Sequence, residues 1–191
     1  MRNGWISPLG LALALGMAMP VLASASEPAK GPAIGDTPST TLIGKDRKDQ
    51  TIDLASYRGN KIVVMTFWAS WCGPCRKELP QLEALQKRAG DKFLKVIAVN
   101  WKDELEEYRA MTRQMSGYSM TLVRDRDGKI ADAYGVNSFP NLWIIDLQGK
   151  VVAHHLGYGE GGIDDVIADI NKIISAELQR QQATEPAKPA G

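Results

Sequence analysis

Apolar and polar positions alternate in different rhythms along the chain, and each rhythm predicts an element. Ile62-Val63-Val64-Met65-Thr66-Phe67-Trp68 is an almost unbroken apolar run of strand length, which suits a strand buried on both faces. After it, Leu79, Leu82, Leu85 and Ala89 recur every three to four residues and Gly90 follows, which predicts an amphipathic helix with a glycine stop. Lys92–Asn100, centred on Phe93-Leu94-Lys95-Val96-Ile97-Ala98-Val99, is the next strand. Strand, helix and strand in this order imply parallel pairing through a right-handed crossover. Asp103–Ser116 carries a helical stripe of Leu105, Tyr108, Met111, Thr112 and Met115, whose methionines read as core packing rather than metal ligands. Met120–Val123 predicts a short strand, Asp125–Gly128 a turn, and Ile130–Tyr134 a turn or two of helix. Asn141–Asp146 and Lys150–Leu156 predict a hairpin closed by Leu147-Gln148-Gly149. Ile163, Val166, Ile167, Ile170, Ile173 and Ile174 give the last helix one apolar face. Upstream, Thr40–Leu42 and Gln50–Leu54 flank a charged turn, Gly44–Asp49, and read as a short hairpin. The sum is an α/β sandwich, a mixed central sheet flanked by helices on both faces.

Chemistry is concentrated in Trp71-Cys72-Gly73-Pro74-Cys75, which holds both cysteines of the 191 residues. A bridge across so small a loop constrains the unfolded chain little. The spacing therefore suits a bond that is opened and closed rather than a structural staple. The pair lies at the predicted strand-to-helix junction. Cys72 falls at the helix N-terminus, where unpaired N–H groups and the positive dipole end favour a thiolate, the nucleophilic form. Pro74 fits the first turn, because the N–H it lacks would have no partner there. Cys75, nearly a turn further in, is expected to be more buried and less ionised, which makes Cys72 the attacking and Cys75 the resolving thiol. Two metal readings compete. Zinc usually takes four ligands, and His154 and His155 are adjacent on a predicted strand and so face opposite ways. Cu(I) carriage by the two soft thiolates is the harder alternative to dismiss.

The two ends change the setting. Arg2, the apolar stretch Leu9–Leu22 and Ala23-Ser24-Ala25 have the form of a signal peptide, residues 1–25, with cleavage after Ala25. Removing it would take away Arg2 alone among the charged residues and lower the formal net charge from +1 to zero. Nothing in that balance points to nucleic acid as a partner. Export places the dithiol in an oxidising compartment, the periplasm. Residues 26–34 read as a linker and residues 181–191 as a disordered tail, leaving one domain at 35–180.

The run Thr66-Phe67-Trp68-Ala69-Ser70-Trp71-Cys72-Gly73-Pro74-Cys75-Arg76-Lys77-Glu78-Leu79-Pro80 resembles the thioredoxin superfamily, specifically its exported TlpA/ResA-like branch. Ser56–Lys61, Asp125–Gly128, Ala133–Val136 and Phe139-Pro140 extend the likeness over about residues 34–176. The resemblance implies a thioredoxin-like fold with an N-terminal β-hairpin and a central helix–strand insertion, here the helix from Asp103 and the strand at Met120. It implies that Cys72 and Cys75 form a redox-active disulfide without a cofactor or metal, and that Pro140 is the cis-proline facing it. It also implies that Trp71, Gly73, Pro74 and Phe139 contribute to substrate binding. Pro80 matches the family's helix kink. Typical thioredoxins place a buried Asp where this chain has Thr66, which cannot accept the proton; the TlpA/ResA-like branch places an acid at the position of Glu78. Asn141 stands where many relatives have Thr, and the Thr-x-x-Cys pattern of peroxidases is absent.

The reading that follows is a periplasmic thiol–disulfide oxidoreductase that reduces protein disulfides, of the cytochrome c maturation or copper-site assembly type, supplied with electrons by a CcdA- or DsbD-like membrane protein. The Gly-Pro dipeptide is that of thioredoxin, at the reducing end near about −270 mV. A disulfide oxidant or isomerase, and a Cu(I)-binding module, are the alternatives.

Overall fold

The computed structural model describes residues 30–157, 159 and 161–184. The expected signal peptide, most of the linker and the end of the tail lie outside them. The central sheet has five strands in the order β5-β4-β3-β6-β7. These are β3 (Ile62–Trp68), β4 (Leu94–Trp101), β5 (Thr121–Asp125), β6 (Asn141–Ile145) and β7 (Val151–Leu156). β3, β4 and β5 run parallel, whereas β6 and β7 are antiparallel to their neighbours. This is the mixed sheet with a terminal hairpin that the pattern predicts. A separate two-stranded ribbon, β1 (Leu42–Lys45) and β2 (Thr51–Asp53), lies against the β5 edge through a bridge between Asp46 and Val123. The ribbon starts later than its sequence suggests: Thr40 and Thr41 precede it and Gly44 and Lys45 are inside β1.

β3 is buried at every position, and its alternation sorts side chains between two half-cores. Ile62, Val64 and Trp68 pack with Leu79, Leu82, Tyr108, Met115, Val166 and Ile170. That face is covered by α1 (Gly73–Ala89), α2 (Leu105–Gln114) and α4 (Gly162–Thr184). Val63, Met65 and Phe67 face the other way, onto Ile43, Ile52, Leu54, Ala131 and Tyr134, contributed by the ribbon, a short 3-10 turn and α3 (Lys129–Ala133). Thr66 belongs to the first face by the same alternation. It is a fully buried polar position on the strand that leads to the cysteines.

Several expectations need correction. Leu105 opens α2 and is exposed rather than part of its buried stripe. α2 is also shorter than Asp103–Ser116, because Asp103 is taken out of the helix by bonds described below. α4 runs through Thr184, past the expected start of the tail at residue 181; Gln181 and Arg180 on its last turns both bond Glu177. Among the described residues, no helix is long and apolar enough to cross a membrane.

Candidate active site

α1 begins where it does because Cys72 has extended backbone, φ −78° and ψ 101°, and Pro74 occupies the first turn. Cys72 is the N-cap, and its Sγ accepts the N–H of Cys75 at 3.2 Å. The sulfur thus takes the capping place usually filled by an oxygen and satisfies one of the first-turn donors. The two cysteines are joined as a disulfide. Cys75 is fully enclosed and Cys72 keeps 4 % exposure, so of the two residues only Cys72 meets solvent. Gly73 and Pro74 sit at the solvent side of the turn, with no atom near the position a Gly73 side chain would take.

The approach to Cys72 is held from beneath by Asp103. Its Oδ2 accepts the Ser70 N–H at 2.7 Å and the Asn100 Nδ2–H at 2.6 Å. Arg76 donates to the Ser70 carbonyl from the α1 side. Ser70 is therefore fixed at both its backbone groups, two residues before Cys72. Asp103 is in turn placed by Arg124, which donates twice to its carbonyl.

Around the disulfide the exposed surface is aromatic. Trp71 is 63 % exposed and meets Phe139 edge-on, with ring centroids 5.7 Å apart. Phe139 also packs on Trp101 at 5.2 Å, and Lys102 lies over the Trp101 ring. The Phe139–Pro140 peptide bond is cis, as the resemblance implies, and Pro140 is buried. The Pro140 carbonyl accepts the Gly157 N–H at 2.8 Å. Asn141 Oδ1 is bonded to His154 Nε2, whose ring stacks on Trp143 at 3.6 Å. Burial, with the neighbouring His155 charge, lowers the His154 pKa.

Glu78 lies one turn along α1 from Cys75 and is buried, 5 % exposed. Its Oε2 accepts a 2.7 Å hydrogen bond from the Thr66 hydroxyl. Burial raises the Glu78 pKa to about 7, against the smaller lowering effect of the Thr66 bond. The carboxyl thus titrates in the range where a group can both take and return a proton near neutrality. Glu78 also lines a cleft with His154, His155, Gly157 and Asp165. Glu78 is thus a buried carboxyl bonded across to β3, not a solvated helix carboxylate.

Cys72, Cys75, Trp71, Gly73, Pro74, Glu78, Phe139 and Pro140 therefore converge on one end of the sheet. His154 and His155 do face apart: the first bonds Asn141, the second Asp169 at 3.0 Å. Sequence reasoning missed three contributors. Thr66 is not merely a lost acid but the partner of Glu78; its place on the α1 side of β3 follows from strand alternation. Trp101 and the Asp103 anchor sit where β4 ends, and the polar Asn100 and Asp103 after an apolar run were the available signal.

A family model described as the AhpC/TSA family matches residues 36–154. The thioredoxin-like protein YneN of Bacillus subtilis is 38 % identical over 106 residues, covering 54 % of this chain and 61 % of YneN. The thiol-disulfide oxidoreductase ResA of Halalkalibacterium halodurans is 30 % identical over 140 residues, covering 73 % of this chain and 76 % of that protein. A crystal structure of a thiol:disulfide interchange protein of the DsbE type from Chlorobium tepidum superposes with a TM-score of 0.67 at 27 % identity, over 74 % of this chain and 97 % of that one. The sheet order, the cysteine pair capping α1 and these matches agree: the chain belongs to the AhpC/TSA family of thioredoxin-like proteins, alongside the ResA thiol–disulfide oxidoreductases.

Proposed function

We propose that this protein is an exported thiol–disulfide oxidoreductase that works as a reductant of protein disulfides. The observation that carries the reading is the Cys72 sulfur at the head of α1, accepting the Cys75 N–H. A negative charge on that sulfur is stabilised by the same donor and by the helix dipole. In the reduced protein the Cys72 thiolate attacks a substrate disulfide, and one substrate thiolate leaves. Cys75 then loses its proton, attacks the Cys72 sulfur of the mixed disulfide and expels the second substrate thiolate. Two electrons pass to the substrate, and the protein ends as the Cys72–Cys75 disulfide. Trp71, Phe139 and Trp101 offer an apolar platform beside the sulfur, and the chain around Pro140 offers backbone groups for an extended peptide. The direction is supported by Gly73-Pro74, the dipeptide of a strongly reducing thioredoxin. The periplasmic location is supported by the signal-like residues 1–25, and a CcdA- or DsbD-like membrane donor is the electron source such a location calls for. Substrates of the cytochrome c maturation or copper-site assembly type fit the ResA likeness.

Equilibration of the mature protein with glutathione tests the direction. A potential near about −270 mV supports the reductant, whereas one near about −120 mV makes it an oxidant. Expressing Cys75→Ser in the native host and identifying proteins linked to Cys72 names the substrates. Cu(I) titration of the reduced protein, beside an insulin-reduction assay, separates carriage of copper from redox work. Mass spectrometry of the exported protein should find Ser26 at the N-terminus.

A further inference from the structure

One paired histidine is not used by the site as described. Thr66, Leu142 and His155 are aligned across three neighbouring strands: Thr66 pairs with Leu142, and Leu142 with His155. Residues so aligned share a face of the sheet. His155 therefore stands on the same face as Thr66, two strands away, or about 10 Å at the usual strand spacing. Glu78 reaches into that interval from α1 to meet Thr66, and both Glu78 and His155 line the cleft there. The outer wall comes from α4, through Asp165 and Val166. Asp169, one turn further on, binds His155 Nε2 at 3.0 Å and is also paired with Lys172 at 2.8 Å.

The tautomer of His155 follows from this pairing. Burial disfavours the Asp169 carboxylate, but the bonds from Lys172 and His155 outweigh it and lower its pKa. An ionised Asp169 only accepts, so the hydrogen of a neutral His155 is on Nε2 and is donated to it. Nδ1 is then the acceptor left open. Asp165 adds a further carboxylate on the α4 wall. His154 faces the opposite side of the strand and is occupied by Asn141.

We propose that His155, held by Asp169, is the proton outlet of Glu78 during resolution of the mixed disulfide, an inference that rests on the redox reading of the cysteine pair. The Cys75 thiol gives its proton to the Glu78 carboxylate. The Cys75 thiolate then forms the bond to the Cys72 sulfur as the Cys72–substrate bond breaks, and the electron pair leaves with the substrate thiolate. With its pKa at about 7, Glu78 already carries a proton in part of the molecules when the mixed disulfide forms, and before it can take the one from Cys75 it must lose that proton. Water in the cleft carries it to His155 Nδ1, and His155, only part-buried, returns it to bulk solvent. His155 touches neither sulfur nor substrate; it acts through Glu78.

The test uses the reduced mature protein and 5,5′-dithiobis(2-nitrobenzoate) in a rapid-mixing experiment. The first release of coloured thiolate reports attack by Cys72, and the second reports resolution by Cys75. His155→Gln keeps a donor toward Asp169 but cannot take a proton. We expect the first phase to be unchanged and the second to slow about three- to tenfold at low buffer concentration. That is well below the ~10²–10⁴ of a base acting directly, because cleft water provides a slower route. Concentrated imidazole buffer should restore the rate, which a merely structural loss would not allow. Asp169→Asn, which removes the carboxylate that holds the His155 ring and its tautomer, should show the same buffer-dependent defect and serves if His155→Gln folds poorly. A second phase that stays at the wild-type rate, or slows without rescue by buffer, overturns the proposal. Glu78→Gln is the control: if it slows the second phase while His155→Gln does not, the outlet alone is wrong. If neither variant slows it, Glu78 is not the base either.

Discussion

Replacing Glu78 by glutamine should make the protein more stable at alkaline pH and less competent as a catalyst. The carboxyl is buried and its pKa rises from the ordinary 4.5 to about 7, because burial disfavours the charged form. In the unfolded chain the group returns to its ordinary value. Between the two values the folded state holds more protons than the unfolded state, so stability falls as pH rises. The stabilising contribution is complete below about pH 4.5 and is lost as pH passes through the folded-state pKa near 7. The difference corresponds to about 3 kcal/mol for the whole interval. Glutamine has no charge to bury and can still accept the Thr66 hydroxyl bond. Glu78→Gln should therefore exceed the wild type by only about 1 kcal/mol near pH 5 and by about 3 kcal/mol at pH 9. With a urea slope of about 1–3 kcal/mol per molar, the unfolding midpoint should separate by about 1–3 M. Urea titrations of the disulfide-bonded form at pH 5, 7 and 9, followed by tryptophan fluorescence, read this directly. The two proteins must diverge with pH; parallel midpoints across the range would refute the claim that Glu78 is a desolvated carboxylate. The same substitution should slow resolution of the mixed disulfide while sparing the first attack by Cys72, an instance of stability given up for activity.

Other expectations can be checked with routine assays. In the reduced protein, iodoacetamide at pH 7 should label Cys72 well before Cys75, since only Cys72 is capped by the helix N-terminus and reachable; peptide mapping that finds equal rates would contradict this. Glu83 accepts the N–H groups of Ser119 and Met120 and pairs with Lys87. Glu83→Ala should cost about 2–4 kcal/mol in urea unfolding by orphaning them. Those bonds overcome its burial and lower the Glu83 pKa, so its contribution is present at neutral pH and fades on acidification. Asp103→Ala should cost about 2–3 kcal/mol, because the Ser70 N–H and the Asn100 amide lose their acceptor. It should also slow alkylation of Cys72, as the loop before the nucleophile loosens.

Local order was legible in the sequence wherever one physical rule dominated. β3 and α1 are bounded as their apolar periods predict, and the spacing of Cys72 and Cys75 pointed to the short bridge that joins them. Gly90 ends α1 with φ 85°, a conformation that suits glycine. The edges of the ribbon and of α2 were less legible, because there tertiary bonds compete with weak local preference. Asp103 illustrates this: it reads as the start of a helix, yet its carboxylate serves Ser70 and Asn100 instead.

Sequence by itself determined which two residues offer disulfide chemistry and which faces of the strands are buried, since both follow from spacing along a chain of known period. Only the tertiary structure decided how that chemistry is tuned. Thr66 and Glu78 are twelve positions apart and meet because a strand and the helix after it pack face to face. His155 lines the same cleft as Glu78 because β6 pairs with both β3 and β7 and so brings β7 into the sheet. Burial, which sets the pKa of Glu78, belongs to the packed molecule: a carboxylate in an isolated helix is solvated, and the same carboxylate under α4 is not.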